Sequence, residues 1–302
     1  MKPRLEEGLA LARRIRKLTV RTSRLVRSRF GGAWNSVFKG QGMTFDEVRE
    51  YQEGDDPRQI DWNVTARMDR LYVKRFVEER ERAVILLVDV SASLDFGSTP
   101  AGTKRDLAAR FAMAIALSAA ASHDRVGLLL FAAGIEGWVP PRRGREHAMR
   151  LVRTLLGCKP ATTGTDLAAA MRSLGHVLRQ RATIFLVSDF LNLDLEAVRH
   201  LGSRHDLVAV TLSDPAENRL PVSGPVRVRD PETGDAHILD PRDPEVRRRH
   251  ETAAESRRAR LEQAVARLRI DTIALSTDEP VVRPLMRFFS SRAGRRVRRR
   301  GA

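Results

Sequence analysis

Three short segments of this chain carry oxygen-bearing side chains where strand-like runs end. Asp89-Val90-Ser91-Ala92-Ser93 follows the apolar run AVILLV, and Asp189 follows ATIFLVS. Between them, at the opening of a helical pattern, stands Thr162-Thr163-Gly164-Thr165-Asp166. Ligands of open α/β sheets bind outside the carboxyl ends of the strands. Two carboxylates and several hydroxyls are therefore expected to converge on one sheet edge from three loops. No His or Cys is among them, and an all-oxygen set selects a hard cation: Mg²⁺, Mn²⁺ or Ca²⁺. Two charged groups and three neutral hydroxyls leave such an ion under-neutralised. Water, or a carboxylate from outside the chain, would complete its shell.

Other chemistries find less support. GxxxxGK[ST] and GxGxxG are absent, which argues against a nucleoside triphosphatase or a dinucleotide enzyme. GxSxG is absent too, and with it the hydrolase elbow. Asp89 could serve as a phosphotransfer nucleophile, but that chemistry needs a second acid two residues on, where Ser91 stands. The seven histidines are scattered, without HExxH. The bland reading of Asp89, Ser91 and Ser93 is a hydrogen-bonded turn. For Thr165 it is a helix N-cap with Asp166 in the first turn, and Thr163 is the alternative hydroxyl ligand.

The segments need a scaffold that sets strand ends side by side. From Ala83 the sequence alternates AVILLVD, a helix at about 103–122, RVGLLLFA, an edge piece EGWVP, and helices at about 144–156 and 166–180. Then come ATIFLVSD, a helix around 194–204 and DLVAVTLSD. The hairpin-like VRVRDPETGDAHILD follows, with Thr233-Gly234 near its turn, then a charged helix at about 243–269, DTIALSTD, and a helix through RPLMRFFSS. Continuous apolar runs of strand length fit strands buried on both faces. Repeated strand–helix alternation predicts a doubly wound, mostly parallel sheet.

Around this domain, placed at 83–290, the chain is polar. Residues 33–82 read as a small β-rich extension leaning on it. Residues 1–32 contain a basic amphipathic helix over 4–28, ended by Gly31-Gly32, and 291–302 form a basic tail. The excess of 54 Lys and Arg over 38 Asp and Glu gathers at these ends. Such ends attract nucleic-acid phosphates or an anionic membrane surface. An aromatic content of 5% supplies few stacking platforms and weighs against nucleic acid. The single cysteine, Cys158, excludes an intramolecular disulfide and suits a reducing compartment. The start, MKPRLEEGLALARRIRK, lacks the apolar core of a secretory leader. No run reaches the roughly 18 apolar residues of a membrane span. The expected location is the cytoplasm.

DVSAS resembles the DxSxS signature of the metal-ion-dependent adhesion site of von Willebrand factor A domains. Gly164-Thr165-Asp166 resembles that site's threonine segment, and Ser188-Asp189 its distal aspartate. The resemblance implies an α/β fold of that type. Ser91, Ser93 and Thr165 would be coordinating hydroxyls, and Asp89 and Asp189 carboxylates acting directly or through water. The family's last motif is often Asp-Gly; here it is Asp189-Phe190, which implies a differently shaped loop. FDEVREYQEGDDPRQIDWNVTARMDRLYVKRF before the domain, and DTIALSTDEPVVRPLMRFF near the end, are similar to one bacterial branch, the DUF58 family. That branch implies a non-enzymatic protein-binding adaptor, partner of a MoxR-type AAA+ ATPase. Many of its members carry N-terminal transmembrane helices, which this sequence does not show. Within the block, Asp55, Asp56, Arg58, Asp61 and Trp62, with Arg49 and Arg67, read as a salt-bridged clasp to the domain or as a partner or phosphate site.

Overall fold

A computed structural model describes Trp34, Val37 and residues 43–68, 70–78, 83–161, 164–192, 194–220, 224–229 and 235–298. The helix expected over 4–28 lies outside the described residues. So do the hairpin turn at Thr233-Gly234 and the tail beyond Arg298. The described residues fall into two compact units. Trp34, Val37 and the residues from Ala83 onward form the larger, and the described part of 38–82 the smaller.

The smaller unit is an antiparallel pair, β1 (Met43–Glu50) and β2 (Tyr72–Glu78), with an irregularity between Phe45 and Glu47. A 3-10 turn, Pro57–Gln59, and a short helix, α1 (Trp62–Met68), lie between the strands. The sequence reading expected only β-like runs here. The helix starts because Asp61 accepts hydrogen bonds from the N–H groups of Asn63 at 3.0 Å and Val64 at 3.4 Å.

The larger unit is the expected doubly wound sheet. Its strands are β3 (Val84–Asp89), β4 (Val126–Phe131), β5 (Ile135–Arg142), β6 (Thr183–Ser188), β7 (Asp206–Ser213) and β10 (Asp271–Ser276). They lie in the order β5-β4-β3-β6-β7-β10, all parallel except the antiparallel edge strand β5. Every residue of β3, β4 and β6 is buried, as continuous apolar runs covered on both faces require.

Alternation along the strands divides the core. Ile85, Leu87, Ile184 and Leu186 pack with Leu167, Met171 and Leu174 of α4 (Leu167–Val177) and Val198 and Leu201 of α5 (Leu195–Arg204). On the other side Phe185 meets Phe111 edge-on, ring centroids 5.6 Å apart. Phe111 belongs to α2 (Lys104–Ala121), whose Leu107, Ala108, Ala112, Ile115 and Ala116 are also buried. A reciprocal cap starts α2: Asp106 N–H donates to the Thr103 hydroxyl at 3.2 Å, and Thr103 N–H to the Asp106 carboxylate at 3.1 Å.

The remaining elements complete the flanks: α3 (Arg145–Gly157), α6 (Pro215–Asn218), the hairpin β8 (Val226–Arg229) and β9 (Ala236–Leu239), α7 (Pro244–Leu268) and α8 (Val282–Arg298). Trp34 is fully buried. Its indole N–H donates to Asp124 at 2.7 Å, and its ring meets Phe289 of α8 edge-on. Among the described residues no helix is long and apolar enough to cross a membrane.

The strand order reverses at β3, which has β4 on one side and β6 on the other. A crevice outside the carboxyl ends at such a reversal is where this architecture takes ligands. Asp89 ends β3, and Ser188-Asp189 ends β6.

Candidate metal centre

Asp89 is 1% exposed. One carboxylate oxygen accepts from Ser91 N–H at 2.8 Å, and the other from the Ser188 hydroxyl at 2.7 Å. The first bond folds the loop back over the strand end. The second crosses from β6 to β3. Burial pushes the Asp89 carboxyl up to about 6; the hydrogen bonds from Ser91 and Ser188 oppose the rise, and the charge of Asp189 adds to it. A buried anion of this kind is relieved by a cation.

Ser91 and Ser93 are also buried, and their hydroxyl oxygens lie 3.1 Å apart. A 3-10 turn, Ala92–Asp95, brings them together. The loop is clamped by Arg105 of α2, which donates to the carbonyls of Val90 at 2.9 Å and Cys158 at 2.8 Å and pairs with Asp95 at 2.8 Å.

Asp189 follows Ser188 directly, but its carboxylate is engaged on another side. Its Oδ2 accepts from Lys104 Nζ at 2.7 Å, and its Oδ1 from Leu191 N–H at 3.3 Å. Lys104 is 0% exposed and also pairs with Glu217 of α6. Burial pushes the ammonium down, yet Asp189 and Glu217 more than offset this and hold it above its ordinary value.

Beyond Glu217 the network continues along the carboxyl edge. Glu217 accepts from Asp214 N–H at 2.9 Å. Asp214 accepts from Thr277, after β10, at 2.6 Å and from Ser98 N–H at 2.9 Å.

Next comes Phe190, where the resembling motif often has glycine. Its φ is 54°, in the left-handed region that glycine occupies without penalty. Its side chain is buried with Ile184, Leu186 and Val198, and its N–H donates to the Ser188 hydroxyl at 3.0 Å. The turn thus has a glycine-like backbone with an aromatic side chain seated in the core.

Thr165 precedes α4, and the next residue's N–H, that of Asp166, donates at 2.8 Å to the carbonyl of Ala132, just past the carboxyl end of β4. The N-cap of α4 is Asp166, which accepts from Ala169 N–H at 2.8 Å, so the capping role considered for Thr165 falls to its neighbour. Thr165 lines a cleft of about 360 Å³ with Asp166, Leu191, Asn192 and Asp194, and so faces the loop after β6. Thr163 lies outside the described residues.

Asp89, Ser91 and Ser93 therefore form one hydrogen-bonded group, which Ser188 joins to β6. Asp189 lies close enough for its charge to act on Asp89, while Thr165 is placed beside the loop after β6, in the cleft with Leu191 and Asn192. The donor set suits a hard cation. Two hydroxyl oxygens 3.1 Å apart match adjacent corners of an octahedron with bonds of 2.0–2.1 Å, which lie about 3 Å apart. Among the described residues no group of three or more His, Cys, Asp or Glu is placed to hold a metal ion. A metal here would therefore rely on hydroxyls and water besides Asp89. Sequence reasoning did not find Ser188, Lys104 or Glu217 as members of the site. Ser188 stood beside Asp189 in the quoted motif. Lys104, at a helix start, reads as an ordinary solvated cation.

In the separate block, Asp55 accepts from Arg49 at 2.7 Å and from Gln52 N–H at 2.9 Å. Asp56 caps the 3-10 turn through Arg58 N–H at 3.0 Å, and Asp61 caps α1. These carboxylates are used within the smaller unit.

A family model described as a protein of unknown function, DUF58, matches residues 47–260. An uncharacterized protein of Mycobacterium tuberculosis is 34% identical over 270 residues, covering 88% of this chain and 83% of its own. Solved structures similar to this chain include the conserved hypothetical protein BatB from Bacteroides thetaiotaomicron, with TM-score 0.47 and 15% identity over 70% of this chain and 99% of that one. An aerotolerance-related membrane protein from Bacteroides fragilis gives TM-score 0.48 and 14% identity over 71% of this chain and 99% of that one.

Proposed function

This chain belongs to the DUF58 family, and we propose that it is a non-enzymatic adaptor that binds a protein partner through a divalent metal at the carboxyl edge of its sheet. One observation carries the reading: the buried Asp89 carboxylate stands at the strand reversal, beside two buried hydroxyls 3.1 Å apart. A bound Mg²⁺ or Mn²⁺ would supply a directional positive charge that an acidic side chain of the partner can meet. Asp89, Ser91 and Ser93 are the residues that would hold it, with Thr165 and Asp189 reaching it from neighbouring loops. Ser188 and the Ser91 N–H fix the Asp89 carboxylate in place, and Arg105 fixes the loop. Together they spare the site the cost of ordering itself on binding.

The absence of a second acid two residues after Asp89 supports binding over phosphotransfer. The partner class implied by the family resemblance is a MoxR-type AAA+ ATPase, and the place of action is the cytoplasm. The direct test is calorimetry of wild type and Asp89→Ala against a purified MoxR-type ATPase of the same organism, in Mg²⁺ and in EDTA. Binding by wild type in Mg²⁺ alone, lost in Asp89→Ala, is the expected result. Equal binding in all four conditions would refute it.

A further inference from the structure

Lys104 is oddly placed for a lysine. It is the first residue of α2, where the helix dipole disfavours a cation, and it is 0% exposed, a state lysine almost never adopts unless paired. Helix capping does not require it, since Thr103 and Asp106 already cap each other. What holds it are two carboxylates. Asp189 Oδ2, at the end of β6, lies 2.7 Å from its Nζ, and Glu217 of α6 lies on another side. Glu217 is itself fixed by Asp214 N–H at 2.9 Å, and Asp214 by Thr277 at 2.6 Å. The ammonium is thus a built cation held at a fixed point, one hydrogen bond from a residue of the metal site.

We propose that Lys104 is the resident counter-cation of that site. It occupies one oxygen of Asp189, keeps that carboxylate from closing directly on a divalent ion, and sets the charge the ion meets. The inference rests on the metal reading above. Counted over Asp89 and the two carboxylates paired with Lys104 alone, Asp89, Asp189 and Glu217 with Lys104 leave two net negative charges. Loss of the ammonium would leave three. The ion would then be held more tightly, and an incoming carboxylate would meet an anionic site. Lys104 is in this sense a positioning residue for Asp189 and a limiter of metal affinity.

The test is Mn²⁺ binding to the full chain near neutral pH, with free Mn²⁺ measured by electron paramagnetic resonance. Wild type, Lys104→Gln, Lys104→Arg and Glu217→Gln are compared, with circular dichroism as the control for folding. Charges a few ångströms from a divalent ion shift its affinity by about tenfold or more at protein-like dielectric. Lys104→Gln should therefore bind at least tenfold more tightly, Glu217→Gln several-fold more weakly, and Lys104→Arg close to wild type. A lysine that only supports packing would weaken binding when removed, so the opposite signs of the first two variants are the signature. Wild-type binding with a folded Lys104→Gln that binds no tighter would overturn the counter-cation role and leave the metal reading intact. Binding by Lys104→Gln but not by wild type would overturn the metal reading, and with it the role of Lys104 in setting the charge that a bound ion meets. Absence of binding in both would overturn both. If Lys104→Gln does not fold, Glu217→Gln carries the test, and unchanged or tighter binding there would overturn the role.

Discussion

The hydroxyl of Ser188, on β6, donates to the carboxylate of Asp89, on β3, at 2.7 Å, and both residues are buried. The bond extends the parallel pairing of the two strands by a side-chain link at the point where the sheet order reverses. Hydrogen bonds to charged groups contribute about 1.5–3 kcal/mol, and the loss is greater when the partner is left buried. Ser188→Ala should therefore lower unfolding stability by about 2 kcal/mol in EDTA. It also removes the acceptor of Phe190 N–H. Urea denaturation with an unchanged slope would measure the loss. A change below about 0.5 kcal/mol, the range of ordinary surface substitutions, would show that the bond does not hold the crevice together.

Phe190 offers a sharper test because two effects compete there. Truncating a buried phenylalanine costs about 3–5 kcal/mol. Its left-handed backbone, φ 54°, costs a side-chain-bearing residue roughly 1–2 kcal/mol relative to glycine. Phe190→Ala loses the packing and keeps the strain. Phe190→Gly loses the packing and relieves the strain. Glycine should thus be the milder substitution by about 1 kcal/mol, the reverse of the usual ranking. Thermal unfolding of the two variants decides it, and a less stable glycine variant would mean the backbone at this position carries no strain.

Asp214 contributes to the response to acid. Burial pushes its carboxyl up, but hydrogen bonds from Ser98, Thr277 and the Ala216 N–H outweigh this and hold it below the ordinary value of 3.8. A lowered carboxyl contributes stability that is fully present above its unfolded value and is lost as pH falls through its folded value. Asp214→Asn should therefore be clearly less stable than wild type at pH 7, and the gap should close as pH drops below about 4. Urea unfolding at stepped pH measures the gap. A gap that holds constant down to pH 3, or widens, would contradict the assignment.

Much of this architecture is legible in the sequence because burial leaves a mark there. VILLVD, VGLLLF and TIFLVS lie in β3, β4 and β6 because strands covered on both faces must be apolar throughout. The helix at Lys104–Ala121 announces itself by its length and by the Thr103 cap. Asp89, Ser91 and Ser93 are local in sequence and local in space. Other features leave no such mark. α1 is seven residues of mixed character, too short for a periodic face to emerge. Lys104 depends on carboxylates 85 and 113 positions away, a relationship only the folded sheet creates. Phe190 adopts a conformation its type normally avoids, held by core contacts that no local pattern announces.

A divalent cation held on Asp89 in the crevice between β3 and β6 must stabilise the fold. The most direct measurement is the Tm of wild type and Asp89→Ala in EDTA and in millimolar Mg²⁺ or Mn²⁺. An ion that binds only the folded state stabilises it by about 2.7 kcal/mol at a hundredfold excess over Kd. Wild type should melt several degrees higher with metal than in EDTA, while Asp89→Ala should melt at one temperature in both. Coincident wild-type curves, or an equal metal shift in Asp89→Ala, would contradict the account.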